Sequence, residues 1–446
     1  MDRVDPSIFK AYDIRGIYPD QLDEDTAYKI GGAFVEFVKP KEVMIGRDNR
    51  ISSLPLFFAL TQGITEKDVD VIDVGKICTD MLYFGVAHFG YGSGIMITAS
   101  HNPKNYNGMK FVRGNAIPIS GDTGIYEIRD LVIDGKFGKA GKTGRVKTCD
   151  IYQDYKRHVL SFIDREVIKP YKVVMNAGNG MAGCVVQELI KDLPVQVIPM
   201  YFEPDGTFPK GEPNPLLPEK RVETIERVKE EHADLGVAWD GDGDRCFFID
   251  ERGNFVEGCF ITALLAETLL HKHPGEKVIF DPRLIWANME VVKKNGGIPI
   301  INKSGHAFIK ERMRRENALF GGEASAHYYF RKNYFADNGM IPLLLILELM
   351  SVSSKPLSVL LEPLTSRYFI SGEINLHVED GCQKIKEIEE RYKDGRITHI
   401  DGLSIEYPDW RFNLRPSNTE PLIRLNIEAK SRNLMEEKKD ELLKMF

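Results

Sequence analysis

Three carboxylates fall within five residues in Asp240-Gly241-Asp242-Gly243-Asp244, and Arg245 follows at once. Like charges so close repel, and a fold keeps them together where a cation compensates. The two glycines let the backbone curl so that alternate carboxylates converge. Hard oxygen donors of this kind suit Mg²⁺, which keeps places for water or a phosphate oxygen. A calcium loop of EF-hand type also begins D-x-D-x-D, and Glu251 stands where its glutamate would be. Its glycine position is taken by Arg245, however, and 245–250 reads as a strand. Mg²⁺ on Asp240, Asp242 and Asp244 is therefore the expectation.

Three further loops have chemical content. Thr98-Ala99-Ser100-His101-Asn102-Pro103 puts a serine behind small residues that admit a ligand, and His101, Asn102 and Lys110 offer donors to a phosphoryl group. A serine hydroxyl needs a base or a metal to become a nucleophile. No G-x-S-x-G elbow surrounds Ser100, which disfavours a lipase-type role. Gly322-Glu323-Ala324-Ser325-Ala326-His327 combines an acceptor, a hydroxyl and an imidazole, a set able to bond sugar hydroxyls. Arg415-Pro416-Ser417-Asn418-Thr419 groups a guanidinium, two hydroxyls and an amide, which can surround a phosphate. Taken singly, each has a bland counterpart: a turn after a strand, a helix start, a hairpin loop. Gly178-Asn179-Gly180-Met181-Ala182-Gly183 also fits the dinucleotide fingerprint G-x-G-x-x-G. The next strand ends in 197–200 with no acid to hold a ribose, so a tight structural turn is the expectation.

Most of these loops follow short apolar runs that alternate with helical patterns, the signature of α/β layers. The runs come in three series. The first is 42–45, 69–74 and 94–97, ending at Ser100. The second is 172–175, 195–199 and 235–239, ending at the aspartates. The third is 277–280, 297–301 and 318–320, ending at Glu323. Ligands bind beyond the carboxyl ends of parallel strands, so three such units could face one cleft. The last segment differs: 368–378, 411–414 and 422–429 read as strands, and 382–392 and 434–446 as helices. The expected fold is α/β, with three related mixed-sheet domains around a central cleft and a smaller C-terminal α+β domain. The expected boundaries are 1–148, 149–254, 255–365 and 366–446.

Composition narrows the partners. The 446 residues carry a net charge of -7, which argues against nucleic acid or an anionic membrane. No apolar run reaches the length of a membrane span, and the N-terminal residues do not read as a signal peptide. Six cysteines are spread without a C-x-x-C pair, so neither zinc nor a disulfide framework is expected, and the cytoplasm is the expected location. Oligomeric state is not legible.

Together these loops resemble the α-D-phosphohexomutase family, and within it the bacterial phosphomannomutase group. The matching segments are Ala11-Tyr12-Asp13-Ile14-Arg15-Gly16, the Ser100 loop through Lys110, the aspartate loop with Arg245, Lys303-Ser304-Gly305-His306, the Glu323 loop, and Arg415-Pro416-Ser417-Asn418-Thr419-Glu420-Pro421. The resemblance implies that Ser100 is a phosphoserine, with one of its oxygens completing the Mg²⁺ site. It implies that Arg245 neutralises charge nearby and that Glu323 and Ser325 read the sugar's 3- and 4-hydroxyls. Arg415, Ser417, Asn418 and Thr419 would grip the second phosphate. Tyr12, Arg15, Lys110, Arg283, Lys303, Gly305, His306 and His327 would line the cleft, with Lys110 or His306 moving the hydroxyl proton. The implied reaction interconverts mannose 6-phosphate and mannose 1-phosphate through a hexose 1,6-bisphosphate, with glucose phosphates as further substrates. Glutamine is usual at position 324 in phosphoglucosamine mutases, whereas this chain has Ala324, which disfavours that activity. A phosphoglucomutase or phosphoglucosamine mutase is the alternative within the family, and readings of another class are a serine-dependent sugar phosphatase and a non-catalytic sugar-phosphate sensor.

Overall fold

Buried β-branched and aromatic runs become strands here because helices cover both of their faces. In the computed structural model, which describes residues 4–136, 138, 141–378, 380–416 and 422–446, the first sheet runs in the order Ile14–Ile17, Tyr106–Arg113, Ser93–Ile97, Glu42–Arg47, Asp70–Lys76, Val146–Thr148. The Glu42–Arg47 strand pairs in parallel with both neighbours, whereas Tyr106–Arg113 is antiparallel to Ile14–Ile17 and to Ser93–Ile97. The helices Glu24–Val38 and Ser53–Thr65 pack closely because glycines meet backbone: a Cβ on Gly63 would lie 2.0 Å from the Tyr28 carbonyl oxygen. Asp23 caps the first of these helices by accepting from the Thr26 amide at 2.8 Å.

The second sheet repeats the scheme with Cys246–Ile249, Leu235–Trp239, Tyr171–Asn176 and Val195–Met200 in that order, the first pair antiparallel and the rest parallel. In the third, Ile298–Ile301 and Phe320–Gly322 flank Lys277–Phe280 in parallel. The C-terminal sheet is antiparallel and centred on Trp410–Pro416 and Leu422–Ala429. Its core joins Trp410, Phe412 and Ile427 to Ile388 and Met435 of the helices Gly381–Arg391 and Arg432–Leu443. The chain is thus α/β, with mixed sheets in three domains and a distinct fourth domain.

Three expectations are corrected. The run 368–378 is two short strands, Phe369–Ile370 and Ile374–His377, on opposite ends of Leu422–Ala429. Gly372 breaks it in the left-handed region (φ 70°), and the Ser371 hydroxyl takes the Ile427 amide at 3.0 Å in place of a ladder bond. The third strand of the third series starts at Phe320, because Phe320–Gly322 is the part in register with Val278 to Phe280. The last helix begins at Arg432, where Ser431 caps it, and ends at Leu443.

The chain divides into two compact units. One runs to Phe255 and takes in His327–Ser354; the other comprises Val256–Ala326 and Lys355–Phe446. The helix Ile341–Ser353 is apolar and mostly buried. Among the described residues no single helix is long and apolar enough to cross a membrane.

Candidate active site

In the first unit, the fully buried strand Ser93–Ile97 delivers Ser100 into a tight loop at φ 49°, a left-handed backbone that serine seldom adopts. Two groups hold it there. Thr98 Oγ1 accepts the Ser100 amide at 2.9 Å. The buried guanidinium of Arg50 donates to the carbonyls of Ser100 (2.8 Å), Asn102 (2.7 Å), Pro103 (2.7 Å) and Tyr106 (3.1 Å). Arg50 is itself paired with buried Asp48 at 3.1 Å. Neither was expected to matter; the only hint was a charged pair just after the first inner strand.

The aspartate loop continues Leu235–Trp239 and touches the serine loop directly. The Ser100 hydroxyl donates to Asp240 Oδ2 at 2.7 Å. A Cβ on Gly241 would sit 2.6 Å from the Ser100 carbonyl oxygen, so only glycine permits this approach. Gly243 takes the left-handed turn at φ 72°. The expected structural role for the G-x-G-x-x-G segment is also visible. Met181 N donates to the Gly241 carbonyl at 3.0 Å, and a Cβ on Gly180 would lie 2.5 Å from that oxygen.

Asp240, Asp242 and Asp244 are fully buried, with one oxygen of each within 4.8 Å of the others. Lys110, 4% exposed, donates to Asp242 Oδ2 at 2.8 Å and Asp244 Oδ2 at 2.6 Å. Thr79 Oγ1 donates to Asp242 Oδ2 at 2.6 Å. The remaining oxygens, Asp242 Oδ1 and Asp244 Oδ1, are buried without a hydrogen bond among the described residues. Orphaned carboxylate oxygens are costly in a protein interior, and a divalent cation is the partner that suits them. The donor set therefore fits a hard metal ion.

The charges sort accordingly. Burial, with Asp242 and Asp244 beside it, pushes Asp240 well above the usual carboxylate range. Burial also works against charge on Asp242 and Asp244, but Lys110 outweighs it and both are held low. Burial would lower Lys110, yet the two aspartates hold its ammonium well above the ordinary lysine range.

Arg245 joins the two loops. Its Nη2 donates to His101 Nδ1 at 3.0 Å, and its Nε donates to His327 Nε2 at 3.3 Å. A guanidinium has no acceptor, so His101 Nδ1 carries the lone pair and its proton is on Nε2. Burial first, then Arg245 and Arg15, hold His101 well below the usual range and keep it neutral. The Ser100 hydroxyl lies 3.2 Å from the same Nδ1. Arg15 donates to the Ala99 carbonyl and, at 2.7 Å, to Asn102 Oδ1, while pairing with Asp13. Tyr12 is half-buried on the segment leading to Arg15.

The second unit assembles the other expected residues. Arg283 grips Asp281 in a fork, Nε to Oδ1 at 3.0 Å and Nη2 to Oδ2 at 2.8 Å, and reaches Ser325 Oγ at 3.3 Å. Asp281 Oδ2 accepts the Ala324 amide at 2.7 Å, and Glu323 Oε1 accepts the Gly305 amide at 2.8 Å. Glu323 and Arg283 are 3.8 Å apart. Lys303 is exposed over the Phe308 ring, and His306 opens the helix His306–Glu316 with Nδ1 3.5 Å from Lys310 Nζ. Arg415 lies 3.7 Å from Glu373 and 3.6 Å from Asp401. Ser417, Asn418 and Thr419 lie outside the described residues.

Comparison with known proteins places this architecture. Models of phosphoglucomutase/phosphomannomutase α/β/α domains I, II and III match residues 6–139, 152–253 and 257–368, and that of the C-terminal domain matches 373–445. The chain is 46% identical over 449 residues to a phosphomannomutase of Escherichia coli, covering 98% of each chain. It is 49% identical to phosphohexose mutases of Xanthomonas campestris pv. campestris, covering 95% of each. A crystal structure of a phosphoglucomutase/phosphomannomutase family protein from Burkholderia thailandensis superposes with a TM-score of 0.90 at 33% identity, covering 99% of this chain and 97% of that one.

Proposed function

The chain belongs to the α-D-phosphohexomutase family, and from that premise we propose that it is a phosphomannomutase, an isomerase working through phosphorylated Ser100. Mannose 1- and 6-phosphates are its substrates, with glucose phosphates as further substrates. The observation that carries the reading is Ser100 Oγ at 2.7 Å from Asp240, inside a buried set of three aspartates. In the first half-reaction a sugar hydroxyl oxygen forms a bond to phosphorus as the bond to Ser100 Oγ breaks, giving a hexose 1,6-bisphosphate and a free serine. The reverse step, with the other phosphate, restores the phosphoserine.

Asp240, Asp242 and Asp244, with a phosphoserine oxygen, are proposed to hold Mg²⁺, which when bound neutralises charge on the transferring group. Arg245 and Arg15 bring further positive charge to the serine loop, and Arg245 keeps His101 in the tautomer that offers Nε2–H to a phosphoryl oxygen. Lys110, held as an ammonium, and His306, whose Nδ1 lies 3.5 Å from Lys310 Nζ, are the two candidates for moving the sugar hydroxyl proton. Glu323 and Ser325 read the sugar hydroxyls; Arg283 holds that loop, and Tyr12, Lys303, Gly305 and His327 line the substrate's surroundings. Arg415, Ser417, Asn418 and Thr419 take the second phosphate. The working domain boundaries are 1–148, 149–254, 255–365 and 366–446. A cytoplasmic location belongs to the same proposal and is consistent with six free thiols.

The test is to incubate the protein with mannose 1-phosphate, Mg²⁺ and a trace of hexose 1,6-bisphosphate. Mannose 6-phosphate is expected as the product, and Ser100→Ala should abolish turnover while sugar-phosphate binding survives. Predominant free phosphate would make the protein a phosphatase. Unchanged turnover in the alanine variant would overturn the role of Ser100.

A further inference from the structure

We infer that Arg411 is a positioning residue that fixes the spacing between the sugar-reading loop and the phosphate-gripping strand of the second unit. The inference rests on the sugar-phosphate reading above and deepens it. Arg411 is 1% exposed, among the most buried charged groups of the chain. Its Nη1 donates to the Arg283 carbonyl at 2.9 Å and its Nη2 to the Pro282 carbonyl at 2.8 Å. Two parallel donors from one planar group are what a guanidinium offers and an ammonium does not. Its charge faces Glu428 at 3.5 Å, also buried, whose other oxygen accepts the Trp286 amide at 3.1 Å. The Trp286 indole in turn donates to Glu406 at 2.9 Å.

Both ends of this strut lead to binding groups. At one end are the carbonyls of Pro282 and Arg283. The Arg283 side chain and its partner Asp281 hold the sugar loop through Ser325 Oγ at 3.3 Å and the Ala324 amide at 2.7 Å. At the other end, Arg411 and Arg415 share the strand Trp410–Pro416. Residues two apart on a strand face the same way, so the two arginines lie on one face, roughly 13 Å apart along the strand. A hexose phosphate has a fixed length between its ring hydroxyls and its phosphate. A binder that must hold both at once gains from setting that length in advance, because ordering cost is then not charged to binding. The Arg411 contacts set it through backbone oxygens that no loop side chain can release.

The purely structural alternative is that Arg411 only tethers two domains. It predicts lower stability with no preference between ligands. Equilibrium binding of mannose 1-phosphate and of inorganic phosphate, measured by calorimetry on the full chain, separates the two. Arg411→Lys keeps the charge beside Glu428 but loses the fork, and Arg411→Met removes both. Arg411→Lys is expected to weaken mannose 1-phosphate about tenfold, equivalent to about 1.4 kcal/mol. Inorganic phosphate, which needs only the clamp, should stay within about twofold of wild type. Hydrogen exchange should accelerate at 282–284 and 323–326 in the same variant. If Arg411→Met does not fold, the lysine variant decides alone. Equal weakening of both ligands, or no change in either, overturns the inference. Should the wild type fail to bind mannose 1-phosphate, the sugar-phosphate reading falls. Unchanged exchange at 282–284 and 323–326 would then reject the strut as well.

Discussion

Replacing Lys110 by methionine tests the electrostatic logic of the aspartate loop most directly. The ammonium is 4% exposed and bridges Asp242 and Asp244 at 2.8 and 2.6 Å. Methionine fills similar space but leaves the two carboxylates without that counter-charge. Breaking a buried ion pair by deleting one partner costs about 3–5 kcal/mol, since the remaining charge stays buried. In EDTA the variant should therefore melt well below wild type, by on the order of 10 °C for the first unit. Lys110 bonds the Oδ2 oxygens of the same two carboxylates whose Oδ1 oxygens suit a divalent ion, so ammonium and ion oppose each other electrostatically. Saturating Mg²⁺ or Mn²⁺ should then raise the melting temperature of Lys110→Met more than that of wild type, where the ammonium opposes the ion. Ligand at about a hundred times its dissociation constant supplies about 2.7 kcal/mol, so most of the loss should be recovered. Differential scanning calorimetry in EDTA and in Mg²⁺, with Mn²⁺ titration for affinity, provides the readout. A variant as stable as wild type in EDTA, or an equal Mg²⁺ shift in both proteins, would refute the reasoning.

Two further outcomes follow from the same region. Asp80 is buried beneath the site, accepting from Tyr155 Oη at 2.7 Å and the Gly339 amide at 3.2 Å, and burial pushes its carboxyl up to about 8. The folded state therefore holds a proton that the unfolded state has released between about pH 4 and 8, and stability falls as pH rises through that window by about 1.4 kcal/mol per unit. Asp80→Asn removes this slope, so denaturation at pH 5 and pH 8 should show the variant gaining on wild type; parallel curves would contradict it. Gly180→Ala would place a methyl 2.5 Å from the Gly241 carbonyl oxygen, a backbone atom with little room to yield. It should displace the aspartate loop at a cost of about 1–3 kcal/mol and weaken Mn²⁺ binding; unchanged affinity would show that the loop tolerates the shift.

Much of the fold was legible because its signals are local. The inner strands of each α/β series are continuous apolar runs, and a run buried on both faces reads the same whatever lies beside it. The errors fell where one contact overrides propensity: Gly372 and the Ser371–Ile427 bond split an apparently continuous strand. The G-x-G-x-x-G segment shows the converse, since Gly180 serves close packing against the Gly241 backbone and Gly183 against that of Phe202.

By itself the sequence determined the reactive loops, because a serine among small residues or three aspartates spaced by glycine are written in consecutive positions. The tertiary structure alone decided what steadies them. Arg50 reaches Ser100 across 50 positions and Thr79 reaches Asp242 across 163, and Arg411 meets Pro282 across 129. Such residues look like ordinary charged or polar surface positions until the chain closes. Burial then makes each of their hydrogen bonds obligatory, because water is no longer there to replace a missing partner.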